Sequence, residues 1–358
     1  MSLIEQWIRP EVRAIDAYHV PDASGLIKLD AMENPHAWPE ELREEWARLI
    51  RDTDVNRYPD PHARQLTLQL RTAMQISAEA GVLLGNGSDE IIQMLALALG
   101  GQDRTLLSVE PGFVMYRLIA AFSGLDYIGI ELNGGDFSLD MEALLKAIDA
   151  HQPALLFLAY PNNPTGNLFA VSDVERIITA SPGLVIIDEA YAPFTDASFM
   201  PRIGEFDNMV VMRTLSKMGL AGLRLGLLAG PAEWIKEIDK TRLPYNINVL
   251  TQLSASFALS HISVFDSQTA AICEARSQLF EELQEIADIT PFQSEANFIL
   301  VRTAEGEAPS LFEGLKQCGV LIKNLHGSHP LLKDCLRITV GTEAENRALI
   351  EALKFPKT

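Results

Sequence analysis

The chain has few cysteines, a shortage of positive charge and no long apolar segment. Its 358 residues contain three cysteines, Cys273, Cys318 and Cys335, with no Cys-x-x-Cys spacing. That pattern suits a reducing compartment and predicts no metal site. Basic side chains number 29 against 48 acidic ones, so the net charge is −19. Such a surplus of acid argues against nucleic acid or an anionic membrane surface as the main partner.

No segment reads as a targeting signal or a membrane span. The first residues, MSLIEQWIRPEVR, include acids and lack the apolar core of a signal peptide. The longest apolar stretch, around IIQMLALALGG, is too short and too interrupted to cross a bilayer. We therefore expect a soluble, cytoplasmic protein. Because its overall field is negative, an anionic substrate must be held by a local basic cluster.

Short apolar runs alternate with helical patterns between about residues 80 and 230. They are apolar on both faces, as expected of strands buried between helix layers. The runs are GVLLG (81–85), RTLLSVE (104–110), PALLFLAY (153–160), GLVIIDEAY (183–191), NMVVMRTLS (208–216) and LRLGLLAG (223–230). This alternation predicts a three-layer α/β domain with a mainly parallel sheet. The first helix is expected to have Ser88 as its N-cap.

The pattern changes after about residue 230. A long amphipathic stretch at 262–288 leads to three further apolar runs, NFILVRT (297–303), GVLIKN (319–324) and CLRITVG (335–341), with a helix near 309–318. This order predicts a smaller α+β domain. We predict three segments: 1–44 as an N-terminal part of the small domain, 45–262 as the large domain, and 263–358 as the small domain.

A lysine lies in the most apolar part of the large domain, in the stretch TLSKMGLAGLRLG. From Met209 to Gly230 the only charges are Arg213, Lys217 and Arg224, and no acid is present. A buried ammonium without a partner is costly, and its pKa tends to fall. Lys217 is therefore either a surface lysine beside a buried strand or a lysine that serves covalent chemistry.

Three other polar stretches follow predicted strands, and each has a structural alternative. LLGNGSDEII forms either an anion-binding turn at a helix N-terminus or an ordinary glycine turn. Asn163 in AYPNNPTGN is an amide donor or part of a tight turn, and Asp188 in VIIDEAY is a functional carboxylate or a helix cap. Together with Lys217, and with Thr214, Ser216 and Arg224 as further anion ligands, this set matches the needs of pyridoxal 5'-phosphate.

Nine motifs extend this pattern over nearly the whole chain. They are MENP (32–35), RYPD (57–60), GNGSDE (85–90), PGFVMY (111–116), PNNPTG (161–166), DEAY (188–191), TLSK (214–217), GLRLG (222–226) and LRITVGT (336–342). In this order they resemble the fold type I, pyridoxal-phosphate-dependent aminotransferases, and among them the histidinol-phosphate aminotransferase family.

The resemblance implies roles around the cofactor ring. Lys217 is expected to hold the cofactor as an aldimine and then to move the substrate proton. Asp188 is expected to pair with the ring nitrogen, while Asn163 and Tyr191 donate to the phenolic oxygen. Phe113 matches the aromatic residue that stacks on the ring.

The resemblance also implies a phosphate site. Its ligands are expected to be the backbone N–H groups of Ser88 and Asp89 and the side chains of Thr214, Ser216 and Arg224. Many relatives have one more residue between the lysine and the GLR motif, so the reach of Arg224 is open to question.

Substrate binding and assembly follow from the same resemblance. Arg337 is expected to grip a substrate anion, unless it forms a surface ion pair, and Lys323 and Tyr18 are expected to contact the substrate phosphate. Asn34 is carried over from MENP, where relatives have DENP or NENP, and Asn163 also faces the substrate. Tyr58 is expected to reach the phosphate of a neighbouring subunit in a homodimer with shared active sites, unless it is simply an exposed ring in a turn.

The implied activity is a ping-pong transamination in histidine biosynthesis. It exchanges an amino group between L-histidinol phosphate and imidazole-acetol phosphate on one side and glutamate and 2-oxoglutarate on the other. Two alternatives keep the fold: an aromatic-amino-acid aminotransferase and a threonine-phosphate decarboxylase. A non-enzymatic regulatory module is disfavoured because the acidic chain has no DNA-binding segment.

Overall fold

The computed structural model describes residues 2–17, 20–101 and 103–354. Its strands form two separate sheets. The strands are β1 (Ile27–Leu29), β2 (Gly81–Gly85), β3 (Thr105–Glu110), β4 (Asp126–Glu131), β5 (Leu155–Ala159), β6 (Leu184–Asp188), β7 (Met209–Thr214), β8 (Gly226–Gly230), β9 (Ile289–Pro291), β10 (Phe298–Thr303), β11 (Val320–Asn324) and β12 (Cys335–Thr339).

Helices cover both sheets. They are α1 (Leu3–Trp7), α2 (Pro10–Arg13), α3 (Glu40–Arg51), α4 (Arg64–Ala73), α5 (Ser88–Leu99), α6 (Met115–Ser123), α7 (Met141–His151), α8 (Val171–Ala180), α9 (Ala232–Ile238), α10 (Val249–Ser260), α11 (Ile262–Gln284), α12 (Ala308–Gln317) and α13 (Glu343–Lys354). Across the described part of the chain, none of them is long and apolar enough to cross a membrane.

The larger sheet has seven strands in the order β2-β8-β7-β6-β5-β3-β4. Strands β3 to β7 pair in parallel, whereas β8 is antiparallel to both β7 and β2. Two antiparallel steps restore the direction, so β2 runs the same way as β7. The carboxyl ends of β2, β5, β6 and β7 therefore lie at one edge, where ligands bind in such sheets.

Burial on both faces explains why these strands read as continuous apolar runs. Every residue of β5, β6 and β8 is buried. Within β6, Val185 and Ile187 pack into a core shared with α4, α7, α8 and α10. Leu184 and Ile186 point the other way, into a core shared with α5, α6 and α9. This alternation confirms the predicted three-layer α/β architecture.

Two details of the large domain differ from expectation. The edge strand β4 was not predicted, because its sequence DYIGIE alternates between exposed and partly buried positions rather than forming an apolar run. The expectation of Ser88 as N-cap was wrong. The helix begins at Ser88 itself, and Gly87, with φ of 85°, is the N-cap.

The smaller sheet has five strands in the order β1-β11-β12-β10-β9. Strand β1, from the N-terminal segment, pairs in parallel with β11, while the pairs β11–β12, β12–β10 and β10–β9 are antiparallel. The N-terminal segment thus supplies one edge of this sheet. The division at 44/45 and 262/263 stays a prediction, and the first of these boundaries falls inside α3.

Candidate active site

One cavity opens where strands β2, β5, β6 and β7 end. Every predicted cofactor residue except Tyr58 lines it. Its lining comprises Met32, Ser88, Asp89, Phe113, Ala159, Asn163, Asp188, Ala190, Tyr191, Thr214, Ser216, Lys217 and Arg224. The fold thus brings together residues that lie more than one hundred positions apart in sequence.

Lys217 is held by a tight turn directly after β7. Residues Ser216–Leu220 form one turn of π-helix in which Gly219 has φ of 115°. A Cβ at Gly219 would lie 2.9 Å from Nδ2 of Asn34, so the turn requires glycine for both its backbone and its space. The ammonium of Lys217 donates to the carbonyl of Ala31 at 3.3 Å. It lies 5.7 Å from the centroid of the Tyr191 ring.

The surroundings of Lys217 disfavour its charge. Burial, together with the positive charges of Arg337 and Arg224, lowers the pKa of Lys217 to about 8, with Glu33 and Asp89 opposing the shift. No carboxylate lies within ion-pair distance of its amine in the part of the chain that the structure describes. The neutral, nucleophilic amine is therefore far more populated near neutral pH than in an ordinary lysine.

Asp188 presents a buried carboxylate to the same cavity. Its side chain accepts a hydrogen bond of 2.6 Å from the hydroxyl of Tyr116 and one of 3.1 Å from the backbone N–H of Ala190. Burial raises the pKa of Asp188 to about 6, although these two hydrogen bonds oppose the shift. A cationic nitrogen beside this carboxylate would stabilise its ionised form.

A ring of donors forms an anion cup at the N-terminus of α5. The Thr214 hydroxyl donates to the carbonyl of Leu225 at 3.1 Å and lies 2.9 Å from the hydroxyl of Ser216. Nη2 of Arg224 lies 3.5 Å from Asp89 and 2.6 Å from the position of a Cβ at Gly87. The backbone at Arg224 is left-handed, with φ of 51°. Although Arg224 follows Lys217 by only seven residues, its guanidinium therefore still reaches the anion cup.

A chain of hydrogen bonds forms the wall opposite the lysine. Nδ2 of Asn163 donates to the Tyr191 hydroxyl at 3.1 Å, and that hydroxyl lies 3.1 Å from the sulfur of Met32. Oδ1 of Asn163 accepts from Nη1 of Arg337 at 2.7 Å, and Nη2 of Arg337 donates to the carbonyl of Asp30 at 3.1 Å. Burial raises the pKa of Tyr191, which keeps its phenol protonated.

A second cavity adjoins the first. The two share Met32, Phe113 and Asn163 in their linings. Arg337 and Lys323 both line the second cavity, and they are paired neighbours on the antiparallel strands β12 and β11. Two adjacent cations can hold a doubly charged anion.

Two predicted residues, Tyr58 and Asn34, do not line either cavity. Tyr58 is 80% exposed and stacks on Tyr245 with 4.4 Å between ring centroids. Asn34, predicted to contact substrate, lines neither cavity. Its amide donates to the carbonyl of Met218 and to Gln268, behind the turn that carries Lys217. Tyr18 lies outside the described residues.

Two side chains with contacts to site residues were not predicted: Tyr116 donates to Asp188 from outside the lining, and Met32 lines the first cavity. Tyr116 belongs to the motif PGFVMY, close in sequence to the predicted ring-stacking residue Phe113, and its ring lies 5.5 Å from that of Phe113 between centroids. Met32 has left-handed backbone with φ of 54°. Asn and Asp adopt that conformation more readily than Met does.

The remaining charge of the apolar stretch has a partner from a neighbouring strand. Arg213 lies 2.7 Å from the fully buried carboxylate of Glu189, which also accepts from Ser198. This pair lies outside the first cavity, since neither residue belongs to its lining. It ties the loop after β6 to β7, the two strands that carry Asp188 and Lys217.

The lining fits one cofactor chemistry. The buried carboxylate of Asp188 suits a cationic ring nitrogen, the anion cup suits a phosphate, and the amine of Lys217 suits a carbonyl carbon. Oδ1 of Asp89 is buried without a hydrogen bond to the described residues, at the edge of the cup. Within the described ranges, no group of three or more His, Cys, Asp or Glu side chains is arranged to hold a metal ion.

Comparison with known proteins agrees with this arrangement. Residues 24–353 match the family described as aminotransferase class I and II. Histidinol-phosphate aminotransferase 2 of Nitrosococcus oceani is 55% identical over 98% of this chain and 97% of its own length. Histidinol-phosphate aminotransferase of Chromobacterium violaceum is 51% identical over 98% of each.

Solved structures share the fold at lower identity. Histidinol-phosphate aminotransferase from Sinorhizobium meliloti, in complex with pyridoxal-5'-phosphate, has a TM-score of 0.86 at 21% identity and covers 97% of this chain and 96% of that one. L-threonine-O-3-phosphate decarboxylase from Porphyromonas gingivalis has a TM-score of 0.79 at 21% identity, covering 92% and 98%. At such identities these matches show the fold alone. The family match and the close relatives go further: this chain belongs to the histidinol-phosphate aminotransferase family of the class I and II aminotransferases.

Proposed function

We propose that this chain is a pyridoxal-phosphate-dependent transaminase of histidine biosynthesis. It transfers the amino group from L-histidinol phosphate to 2-oxoglutarate, which gives imidazole-acetol phosphate and glutamate, and it catalyses the reverse reaction. The observation that carries the proposal is the single cavity in which an anion cup, a buried carboxylate and a lysine of lowered pKa meet. Relatives 55% and 51% identical over 98% of the chain are named for this reaction.

The cofactor is bound by groups of opposite character. Ser88, Thr214, Ser216 and Arg224 hold its phosphate, and Asp188 holds its ring nitrogen as a cation. When bound, pyridoxal phosphate supplies a carbonyl carbon that takes up amines and a ring that withdraws electrons. Asp188 keeps that ring positive, because a buried carboxylate and a cation stabilise each other's charge in a site of low polarity.

Lys217 serves as the nucleophile and the proton carrier. Its lowered pKa provides a neutral amine, which can attack a carbonyl carbon and accept a proton from a substrate carbon. Asn163 and Tyr191 face it from the opposite wall. Their hydrogen bond at 3.1 Å fixes the direction in which the Tyr191 phenol is presented.

Arg337 and Lys323 receive the anionic end of each substrate. A guanidinium fork matches both the carboxylate of glutamate and the phosphate of histidinol phosphate. Lys323 adds a second positive charge, which suits the doubly charged phosphate more than a carboxylate. One binding site can therefore serve both half-reactions in turn, as a ping-pong exchange requires.

A homodimer completes this proposal. Tyr58 stands on the surface, stacked on Tyr245, and an exposed pair of aromatic rings is typical of an interface. We place Tyr58 against the cofactor phosphate of the partner subunit. All three cysteines are free, which is compatible with the cytoplasmic location that we propose for the enzyme.

The activity is tested by half-reactions of the purified holoenzyme, followed by cofactor absorbance. L-Histidinol phosphate is expected to react faster than L-phenylalanine, and O-phospho-L-threonine is expected to release no carbon dioxide. Borohydride is expected to attach the cofactor to Lys217. Faster reaction with phenylalanine, carbon dioxide release, or a borohydride-stable link that persists in Lys217→Ala would each refute the proposal.

A further inference from the structure

The second cavity carries an acidic group that neither the cofactor nor a phosphate can use. Besides Arg337 and Lys323, its lining includes Glu110, Arg117, Tyr127 and His329. Glu110 ends strand β3 and is largely buried, with 14% of its side chain exposed. Arg117 balances the charge of this carboxylate, so its second oxygen can serve to recognise a polar group of a substrate.

The carboxylate of Glu110 is held from one side only. Oε1 accepts hydrogen bonds from the guanidinium of Arg117 and, at 2.9 Å, from the hydroxyl of Tyr127. Burial and the nearby Glu110 raise the pKa of Tyr127, which therefore remains a donor. Oε2 has no hydrogen bond with the described residues. Nε2 of His329 lies 3.6 Å from it, which is too long for a good hydrogen bond.

Two further features maintain this geometry. Gly129, on the neighbouring strand β4, leaves space for Glu110, since a Cβ there would lie 2.7 Å from both Cγ and Cδ of that side chain. Nδ1 of His329 accepts the backbone N–H of Leu331 at 3.2 Å. The neutral ring therefore carries its proton on Nε2, the nitrogen that faces Glu110.

We propose that Glu110 determines specificity by accepting a hydrogen bond from the imidazole N–H of histidinol phosphate. This inference rests on the proposed function and adds the group that distinguishes this substrate from other amines. Arg337 and Lys323 hold the phosphate, while Oε2 of Glu110 holds the ring. A phenyl ring in the same place leaves the buried carboxylate without its donor, and a site built for a hydrogen bond rejects such an analogue.

The test compares two amines that differ only in the ring. One is L-histidinol phosphate, and the other is its phenyl counterpart, 2-amino-3-phenylpropyl phosphate. The measured quantity is the ratio of their kcat/KM values in the first half-reaction of the holoenzyme. Because both values come from one preparation, the ratio does not depend on how much of a variant is correctly folded.

The unaltered protein is expected to favour the imidazole substrate by at least about tenfold, the effect of one hydrogen bond to a charged group. Glu110→Gln is expected to reduce this ratio about tenfold. Gly129→Ala is expected to reduce it as well, because the added methyl displaces the carboxylate without removing its charge. Glutamate, which has no ring, is expected to react within about threefold of the unaltered rate in both variants.

Glu131→Gln is the matched control. Glu131 is the register partner of Glu110 on β4, but its side chain is 66% exposed and does not line the cavity. The Glu131→Gln substitution removes a negative charge close to Glu110 and is expected to leave the ratio of the two kcat/KM values unchanged. A calorimetric titration of both amines into Lys217→Ala provides the corresponding ratio of dissociation constants, without turnover.

An unchanged ratio in Glu110→Gln would overturn this inference, as would an equal change in Glu131→Gln, which would indicate a general charge effect. Equal losses with histidinol phosphate and glutamate would show that Glu110 only supports the structure. Failure of the proposed function looks different: the unaltered protein would then accept neither phosphate amine, although borohydride still attached the cofactor.

Discussion

The hydroxyl of Tyr116 is expected to set the pH range over which the cofactor binds. It donates at 2.6 Å to Asp188, which is only 4% exposed. Burial alone would push the pKa of this carboxylate higher than the value of about 6 that it has with the hydrogen bond in place. Replacing Tyr116 by Phe removes the donor and leaves the ring, which stacks on Phe157 with 4.6 Å between centroids.

The size of the effect follows from the strength of a hydrogen bond to a charged group. Such bonds contribute about 1.5 to 3 kcal/mol, and one pKa unit corresponds to about 1.4 kcal/mol. The pKa of Asp188 in the apoenzyme should therefore rise by about one to two units in Tyr116→Phe. Since only the ionised carboxylate attracts a cationic ring nitrogen, cofactor affinity is present above the pKa of Asp188 and declines as the pH falls through it.

The assay is a titration of pyridoxal phosphate into apoenzyme, followed by protein fluorescence, across about pH 5 to 9. The pH at which affinity is half lost is expected to be about one to two units higher in Tyr116→Phe than in the unaltered protein. Protonation of the cofactor itself affects both proteins equally and cancels in the comparison. Tyr160→Phe, which removes a hydroxyl from another buried ring, controls for general effects on the core. Identical midpoints in Tyr116→Phe and the unaltered protein would refute the reasoning.

Three shorter predictions concern the cup, the lysine and the buried ion pair. Gly87→Ala is expected to weaken cofactor binding about tenfold in the same titration. The reason is that φ at this position is 85° and the new Cβ would lie 2.6 Å from Arg224. An unchanged cofactor affinity would contradict the geometry of the anion cup. Capture of pyridoxal phosphate by apoenzyme in stopped flow is expected to accelerate with pH and to level off above about 8, as Lys217 loses its proton; a rate still rising at much higher pH would show an ordinary lysine. Glu189→Gln is expected to lower the free energy of unfolding, measured in urea, by about 3 kcal/mol. The double variant with Arg213→Met is expected to recover part of that loss. A loss below about 1 kcal/mol in Glu189→Gln would show that the ion pair contributes little to stability.

The large domain was predictable because its strands are buried on both faces. Apolar runs at 81–85, 104–110, 153–160, 183–191, 208–216 and 223–230 each contain one observed strand. The edge strand β4 and the three-residue strands β1 and β9 carry no such run, since edge positions are partly exposed. The order of the strands and the reversed direction of β8 depend on long-range pairing, which periodicity does not report.

The site was predictable where a motif lies at the end of a strand, and less so where contacts come from elsewhere in the fold. Asp188 and Lys217 follow β6 and β7 directly, so the topology alone brings them together. Asn34 has the right motif, but its amide supports the turn behind the lysine. The role of Tyr116 depends on a contact across 72 positions, and the hydrogen bond between Met32 and Tyr191 crosses 159. No local sequence pattern reports contacts between residues that are so far apart in the chain.

If Arg337 binds the substrate anion as proposed, it also links that binding to the chemistry of Lys217. After burial itself, its positive charge is the largest influence that lowers the pKa of the lysine. An anion bound to Arg337 offsets that charge, and the pKa of Lys217 then rises. Before an anion binds, the same arginine increases the neutral fraction of the free amine, the form that nucleophilic attack requires. Once the anion is bound, the more basic amine is better able to accept a proton from the substrate carbon. Arg337 thus has a second effect besides binding the anion: the pKa of Lys217 depends on whether an anion is bound to the arginine.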